Sequence, residues 1–277
     1  MQELKPPFRN ELAFGMSWDD YRSAVGVNPS WIAAGLESML NFHDGDGVKE
    51  TSGMRVGSAA HSLVFEEDYF HERYAIFGGT RRKGSRPWEE WQFLNEGKDA
   101  LSAAEYDSAK KIAHGVRRSE LAVELIKAGK PEVSIFSQDF GMQCKGRTDL
   151  LAPTYILDLK TTARIDADGF GKTFTGLHYA MKMSCYLRWT NKLLMLAGKP
   201  PVYDVWIIAV KSSPPYDCTP MLLPPVLLQD AWPKAARVLK RIPECVKSGH
   251  WPGISDGKAV EIKIPNWAMG EETEFTG

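Results

Sequence analysis

The sequence predicts an α+β fold in which a central mixed β-sheet is flanked by helices. Three observations support this class: a helical period over residues 102–128, alternation of apolar and polar residues from about residue 133, and a strongly apolar strand at residues 202–210. The predicted order is helices, an antiparallel strand meander, a helix, a further strand and a helix. Strands grouped in this way indicate α+β topology rather than regularly alternating α/β topology.

The composition is that of an ordinary globular protein. The 277 residues include 34 Lys or Arg and 35 Asp or Glu, giving a formal net charge of −1, and 43% of them are hydrophobic. This balance excludes a uniformly basic surface that coats nucleic acid, so any nucleic-acid contact must come from a local patch. We expect one domain over residues 1–277, with a mainly helical part (1–130), a catalytic sheet and helix (131–211), and a C-terminal helix and tail (212–277).

Several classes of protein are not expected. The sequence has no run of about 18 apolar residues, so it predicts no transmembrane helix and no membrane partner. Residues 1–7 lack the basic-then-apolar pattern of a secretory signal. The cysteines at positions 144, 185, 218 and 245 are too widely spaced for a zinc or iron–sulfur framework. Reduced thiols of this kind are typical of a cytoplasmic protein.

The N-terminal part is expected to consist mainly of helices. Short helices are predicted near Trp18 and Pro29, and another over residues 57–65. Residues 76–91 are basic and irregular, which predicts a loop. Ser102 and Glu105 form a capping box that opens a helix over residues 102–128, and Gly129 with Pro131 ends it.

Three short strands with tight turns then form the predicted meander. They cover residues from about 133, residues 142–151 and residues 155–160, with turns at 138–141 and 152–154. A helix over residues 176–197 leads to the apolar strand at 202–210, which we expect near the centre of the sheet. A last helix covers residues 226–247.

Charged residues of the second and third strands suggest a chemical site. Alternation places Lys145, Arg147 and Asp149 on one face of the second strand, and Asp158 with Lys160 on one face of the third. Two residues along a strand span about 6.5–7 Å, so both side chains of the third strand can reach one reacting centre. If the two faces match, Asp149 and Asp158 could share a divalent ion.

This pattern suits the hydrolysis of a phosphodiester. Carboxylates favour Mg²⁺ or Mn²⁺, which can activate water and neutralise charge on phosphate, while a lysine can stabilise the transition state. A solvated edge strand would also explain an Asp-x-Lys pattern. The apolar run at residues 155–157 favours the functional interpretation, because a charge pair in an apolar strand is costly unless it is paired or used.

Taken together, these motifs resemble those of the RecE-like 5′→3′ double-strand DNA exonucleases of phages and prophages, in the PD-(D/E)xK nuclease superfamily. The resemblance covers residues from about 15 to 268 and implies a PD-(D/E)xK nuclease-like core. The matching segments, in order, are residues 57–65, the helix that begins at 101–105, residues 132–136, 144–149 and 157–162, Trp251-Pro252-Gly253, and Ile264-Pro265-Asn266-Trp267.

The resemblance implies a role for each residue that matches a motif. Asp149 and Asp158 would be the metal carboxylates, with the backbone carbonyl of Leu159 as a further ligand. Lys160 would position or activate the attacking water. His61 would complete the metal shell, and Glu132 would bind a second metal or orient a water. The metal would be Mg²⁺, with Mn²⁺ able to substitute.

Other residues are candidates for DNA binding. Arg147 either contacts a phosphate or pairs with a catalytic carboxylate. Tyr186 matches a family tyrosine near the active site, but Lys182 stands where the family usually has a glutamine. The segment that carries Arg81, Arg82 and Arg86, followed by Trp88 and Trp91, either contacts DNA or is a solvated loop.

As a whole, the resemblance implies an exonuclease that degrades the 5′ strand of double-stranded DNA ends in a bacterial host cell. It further implies a ring-shaped homo-oligomer and a single-strand annealing partner that is RecT-like. Three alternatives stay open. They are a Cas4-like or AddB-like nuclease with a four-cysteine iron–sulfur cluster, an endonuclease that needs no DNA end, and a catalytically inactive DNA-binding module.

Overall fold

A six-stranded sheet forms the centre of the molecule in the computed structural model, which describes residues 9–45 and 50–263. The strand order is β1-β4-β5-β6-β7-β8, and neighbouring strands are antiparallel except for the parallel pair β6–β7. These strands are β1 (Glu11–Ala13), β4 (Lys130–Asp139), β5 (Met142–Leu151), β6 (Tyr155–Thr162), β7 (Asp204–Lys211) and β8 (Cys218–Leu222). A separate parallel pair joins β2 (Tyr74–Ile76) and β3 (Asp99–Leu101).

Helices flank both faces of the sheet; most lie between β1 and β4 along the chain, and the others follow β6. They are α1 (Trp18–Ser23), α2 (Pro29–Glu37), α3 (Met39–Asp44), α4 (Ser52–Phe65), α5 (Phe70–Arg73), α6 (Arg86–Leu94), α7 (Ala103–Arg117), α8 (Glu120–Lys127), α9 (Ala167–Gly176), α10 (Tyr179–Leu196) and α11 (Pro225–Ser248). The predicted α+β class and the flanked mixed sheet are therefore confirmed. Among the helices that the structure describes, none is long and apolar enough to cross a membrane.

The alternation of side chains along β6 divides the core into two layers. Leu157 and Leu159 pack with α4 and α7 on one face, while Ile156 packs with α9 and α10 on the other. A third apolar cluster lies between α10, α11 and the N-terminal helices α2 and α3. Asp158 and Lys160 share the parity of Ile156, so the sheet directs both toward the α10 side.

Several sequence expectations need correction. The predicted loop at 76–91 contains the start of α6, where Trp88 and Trp91 stack on each other and pack on Phe77. The predicted helix at 102–128 is two helices, because the Ser119 side chain accepts a hydrogen bond from Ala122 N and starts α8. Helix α9 and the edge strands β1 and β8 were not predicted. The resemblance at 264–267 lies outside the described residues.

Candidate active site

The candidate site lies where two strands of the sheet separate. β5 and β6 pair at Leu150 with Leu157 and at Leu151 with Ile156, and their ladder then ends. Farther along, β5 bonds to Val27 instead: Val27 N donates to Gln143 O at 2.8 Å, and Lys145 N donates to Val27 O at 2.9 Å. We call this opening the strand fork. Asp149 lies immediately before Leu150 and Asp158 immediately after Leu157, the last ladder pair, so both carboxylates lie in the fork.

A backbone irregularity at Glu132 changes which side chains meet there. Glu132 has a φ of 52°, in the left-handed region, and it interrupts the regular pairing of β4 opposite Asp149. Gly146 and Leu150 have the same parity on β5 and should face the same side of the sheet. Gly146 faces the ring of Tyr186 on α10, whereas Leu150 packs with α4 and α7. The uninterrupted alternation predicted for the second strand is therefore wrong at Asp149.

Lys145 shows the effect of this correction. Its parity placed it on the face of Asp149, but its Nζ donates to the carbonyls of Tyr21 (3.0 Å), Arg22 (3.0 Å) and Ala24 (2.6 Å). These carbonyls are at the C-terminal end of α1, where a cation is favoured. Lys145 thus fixes α1 to the sheet rather than facing the carboxylates.

His61 connects two of the predicted carboxylates. Helix α4 directs its ring into the site, where Nε2 lies 2.6 Å from Asp149 Oδ2 and Nδ1 lies 3.0 Å from Glu132 Oε1. Burial alone would lower the pKa of His61, but the two carboxylates outweigh it and raise this pKa to about 10. The same contacts hold the pKa of Asp149 and of Glu132 below the ordinary values, against the effect of burial.

Asp158 and Lys160 form the other half of the site. Lys160 Nζ contacts Asp158 Oδ2 and lies 5.1 Å from the centre of the Tyr179 ring. Burial, followed by the charge of Asp149, raises the pKa of Asp158 to about 6 despite the attraction of Lys160. The neighbouring Leu159 contributes its backbone, because its N–H donates to Asp149 Oδ2 at 2.6 Å and its carbonyl accepts from Lys160 Nζ at 3.3 Å.

These residues open onto a groove of about 560 Å³, which we call the active-site groove. Lys182 and Tyr186, predicted to bind DNA, both line it. The further lining residues that were not predicted to belong to the site include Trp18, Tyr21, Asn28, Arg73 and Tyr179. The sequence showed helix starts near Trp18 and Pro29, but nothing in it indicated that these segments reach the carboxylates.

The structure gives Arg147 a carboxylate partner. Its Nε donates to Glu132 Oε2 at 2.6 Å and its Nη1 to the carbonyl of Met16 at 2.9 Å, with 7% of its side chain exposed. Arg147 therefore pairs with a candidate catalytic carboxylate. Its role in contacting a phosphate stays a prediction, and this pairing does not favour it.

The three arginines of the basic segment do not line the active-site groove. Arg81 pairs with Glu105, Arg86 donates to Glu90 at 2.7 Å, and Arg82 is exposed. The structure thus gives Arg81 and Arg86 intramolecular partners, and DNA contact by this segment stays a prediction.

The donor atoms of the site suit a hard divalent cation. Asp149, Asp158 and the Leu159 carbonyl offer oxygen, and a neutral His61 would offer nitrogen. Asp158 Oδ2 is buried, and its partner is the Lys160 ammonium, in a contact that lacks hydrogen-bond geometry. Among the described residues, however, no three His, Cys, Asp or Glu side chains converge as a formed metal centre, since His61 and Lys160 hold the carboxylates. Metal binding would require these pairs to separate.

Comparison with known proteins identifies the family. A family described as a PDDEXK-like domain of unknown function (DUF3799) matches residues 34–262, most of the chain. The chain belongs to this family. A structure from Eubacterium rectale, provisionally named an exonuclease, is similar over 94% of this chain and 100% of its own, with 15% identity and a TM-score of 0.61. A phage-related exonuclease from Haemophilus somnus 129PT matches 81% of this chain and 96% of its own, with 15% identity and a TM-score of 0.35.

A comparison with curated proteins gave no significant match. The predicted membership of the PD-(D/E)xK superfamily is confirmed by the family and by the fold, and both are consistent with the RecE-like group. Family and fold together support a nuclease. The individual roles of the site residues stay predictions.

Proposed function

We propose that this chain is a Mg²⁺-dependent exonuclease that degrades the 5′ strand of linear double-stranded DNA and leaves 3′ single-stranded overhangs. One observation carries the proposal. Side chains from four separate elements converge on one groove: His61 from α4, Glu132 from β4, Asp149 from β5, and Asp158 with Lys160 from β6. Charged groups are rarely buried together unless they are paired or used in chemistry.

The ion would be held by Asp149, Asp158, the Leu159 carbonyl and a neutral His61, and Mn²⁺ would substitute. When bound, it would lower the pKa of a water and neutralise charge on the phosphate. Lys160 keeps a cation beside the carboxylates, because Asp158 and Asp149 raise its pKa above the ordinary value although burial lowers it. This ammonium would donate to the attacking water or to the phosphate oxygens. Arg147 would orient Glu132 through its short hydrogen bond.

Linear duplex DNA provides the test. One strand is labelled at its 5′ end and the other internally, and digestion is followed with Mg²⁺, with Mn²⁺ and with EDTA. We expect metal-dependent release of the 5′ label, while covalently closed circles stay intact. Cutting of closed circles would indicate an endonuclease instead. DNA binding without cleavage in either metal would indicate an inactive binding module.

The cysteines bear on the iron–sulfur alternative. All four are free, and they lie on β5, α10, β8 and α11 rather than in one group. Three of them, Cys144, Cys185 and Cys245, are buried as ordinary core side chains. This arrangement does not favour a Cas4-like or AddB-like cluster. Absorption bands of an iron–sulfur cluster in the purified protein would revive that alternative.

The proposed assembly follows from the family resemblance. The 3′ overhang would be the substrate of a RecT-like single-strand annealing protein, and the nuclease would act as a ring-shaped homo-oligomer in the cytoplasm of a bacterial host cell. Native mass spectrometry of the full chain tests the ring. A strictly monomeric protein that still degrades long duplexes would contradict it.

A further inference from the structure

Arg73 lies on a wall of the active-site groove that none of the nuclease motifs supplies. It is the last residue of α5, and its guanidinium carbon is 5.1 Å from the ring centre of Trp18 and 5.1 Å from that of Tyr74. Two aromatic contacts of this kind hold a guanidinium in place while its hydrogen-bond donors stay available. The groove residues His61 and Asp158 line the same space.

The side chain of Arg73 is 30% exposed, yet it has few hydrogen-bond partners within the protein. Its Nε is buried and makes no hydrogen bond among the described residues. The nearest carboxylate oxygen, Oδ2 of Asp99, is 3.7 Å away, and the Asp99 side chain is 64% exposed. Arg147, the other arginine of the groove, instead donates to Glu132 and to a backbone carbonyl. Arg73 is thus a groove arginine with one unpaired donor, the buried Nε, and with part of its guanidinium side chain exposed.

We propose that Arg73 binds a backbone phosphate of the DNA strand that enters the active-site groove. A planar guanidinium with free donors recognises a phosphodiester through charge-assisted hydrogen bonds. The cation would also balance the carboxylates of the site, which repel a polyanion. This inference rests on the proposed nuclease function and names a binding residue for it. Because Arg73 does not contact the catalytic pair, it acts on DNA affinity and not on the chemical step.

Salt dependence gives this contact a signature that a structural role would not produce. Duplex binding is measured by fluorescence anisotropy in Ca²⁺ without Mg²⁺, after the labelled duplex is shown to stay intact. For Arg73→Gln we expect Kd to rise about tenfold. The slope of log affinity against log salt should fall by about 0.9, the value for one lost phosphate contact. Arg73→Lys should keep the slope and lose affinity, since it retains the charge but not the stacked planar group.

Kinetics in Mg²⁺ give a second measure. Arg73→Gln should raise KM and leave kcat near the wild-type value. Arg241→Gln is the matched control, because Arg241 is exposed on α11 and outside the groove lining, and it should change neither value. Arg73→Gln with wild-type affinity and salt slope would overturn the proposal. A wild-type chain that neither binds nor cleaves DNA would overturn the proposed function instead.

Asp99→Asn tests the same contact without removing the arginine. Asp99 is exposed, so this change should leave the fold intact, and thermal unfolding checks this for every variant. Removing the weakly paired carboxylate should tighten DNA binding by about two- to fivefold. Unchanged or weaker binding by Asp99→Asn would count against a phosphate site at Arg73.

Discussion

Among the single residues of the site, Asp158 and Lys160 differ from an ordinary ion pair because a second carboxylate lies beside them. Burial and then the charge of Asp149 raise the pKa of Asp158, while burial lowers the pKa of Lys160 but the charges of Asp158 and Asp149 outweigh it and raise this pKa. The pair therefore combines a carboxylate that binds its proton unusually well with a lysine that stays charged. This arrangement is expected where a bound metal ion is to neutralise the carboxylates in place of the lysine.

Substitution at this pair should remove activity and leave the fold. Asp158→Ala and Lys160→Ala should each reduce cleavage by about 100-fold or more, because each removes charge stabilisation of the transition state. Single-turnover cleavage in Mg²⁺ measures the loss, and circular dichroism checks the fold. Asp168→Asn and Lys172→Ala, both at exposed positions of α9, serve as controls. Either Ala variant cleaving at the wild-type rate would remove these residues from the site.

The sequence could identify the carboxylates but not their surroundings. Asp149, Asp158 and Lys160 were found from their spacing and from the apolar run before Asp158. Lys145 was placed on the same face as Asp149, because alternation does not show that the pairing of β4 with β5 is interrupted at Glu132 and Asp149. Arg73 and Trp18 were missed for a different reason. They reach the groove from distant parts of the chain, and a local pattern carries no information about such contacts.

The N-terminus of α7 shows how one side chain connects several elements. Glu105 completes the predicted capping box with Ser102, and its carboxylate also contacts Ser52, Arg55 and Arg81. Burial alone would raise the pKa of Glu105, but the hydrogen bonds from Arg81, the Ser102 backbone, Ser52 and Arg55 outweigh burial and place it well below the ordinary value. Glu105 thus ties α4 and the basic segment to α7.

Replacing Glu105 should destabilise the fold in a pH-dependent manner. We expect Glu105→Gln to lower the free energy of unfolding at pH 7 by roughly 2–4 kcal/mol, because it leaves a half-buried arginine pair without its carboxylate. A folded-state pKa below the unfolded value of 4.5 stabilises the protein above that pH, and this stability is lost as the pH falls. Urea unfolding at pH 7 and at pH 4 should therefore show a smaller difference between wild type and variant at pH 4. An equal difference at both values would contradict the network.

Elements with a strong period were predicted well, and short or edge elements were not. β5 occupies residues 142–151 as expected, and α10 and α11 differ from their predicted ranges by a few residues at most. β1 and β8 are edge strands of three and five residues, too short to show a period. The aromatic pair of α6 was hidden within a basic, glycine-rich stretch, although its spacing of three residues fits a helix.

The distribution of the core across the whole molecule predicts one cooperative unit. The apolar cluster beside α10 joins Ile32, Met39 and Phe42 from the N-terminal helices to Val238 and Leu239 from α11. The first and last parts of the described chain thus share a core. We expect a single calorimetric unfolding transition for the metal-free protein, with equal calorimetric and van't Hoff enthalpies. Two separated transitions would contradict the single domain predicted over residues 1–277.

The strand fork also governs when the enzyme can become active during synthesis. β6 pairs with β5 only at Ile156 and Leu157, whereas it pairs with β7 along its whole length. In the β6–β7 ladder, Asp158 lies beside Ile207. A nascent chain that has emerged through residue 162 already contains every proposed catalytic residue, yet it lacks the strand that aligns them. Closing this contact requires about fifty further residues to fold back. Ribosome-bound chains arrested before β7 should therefore leave DNA uncut.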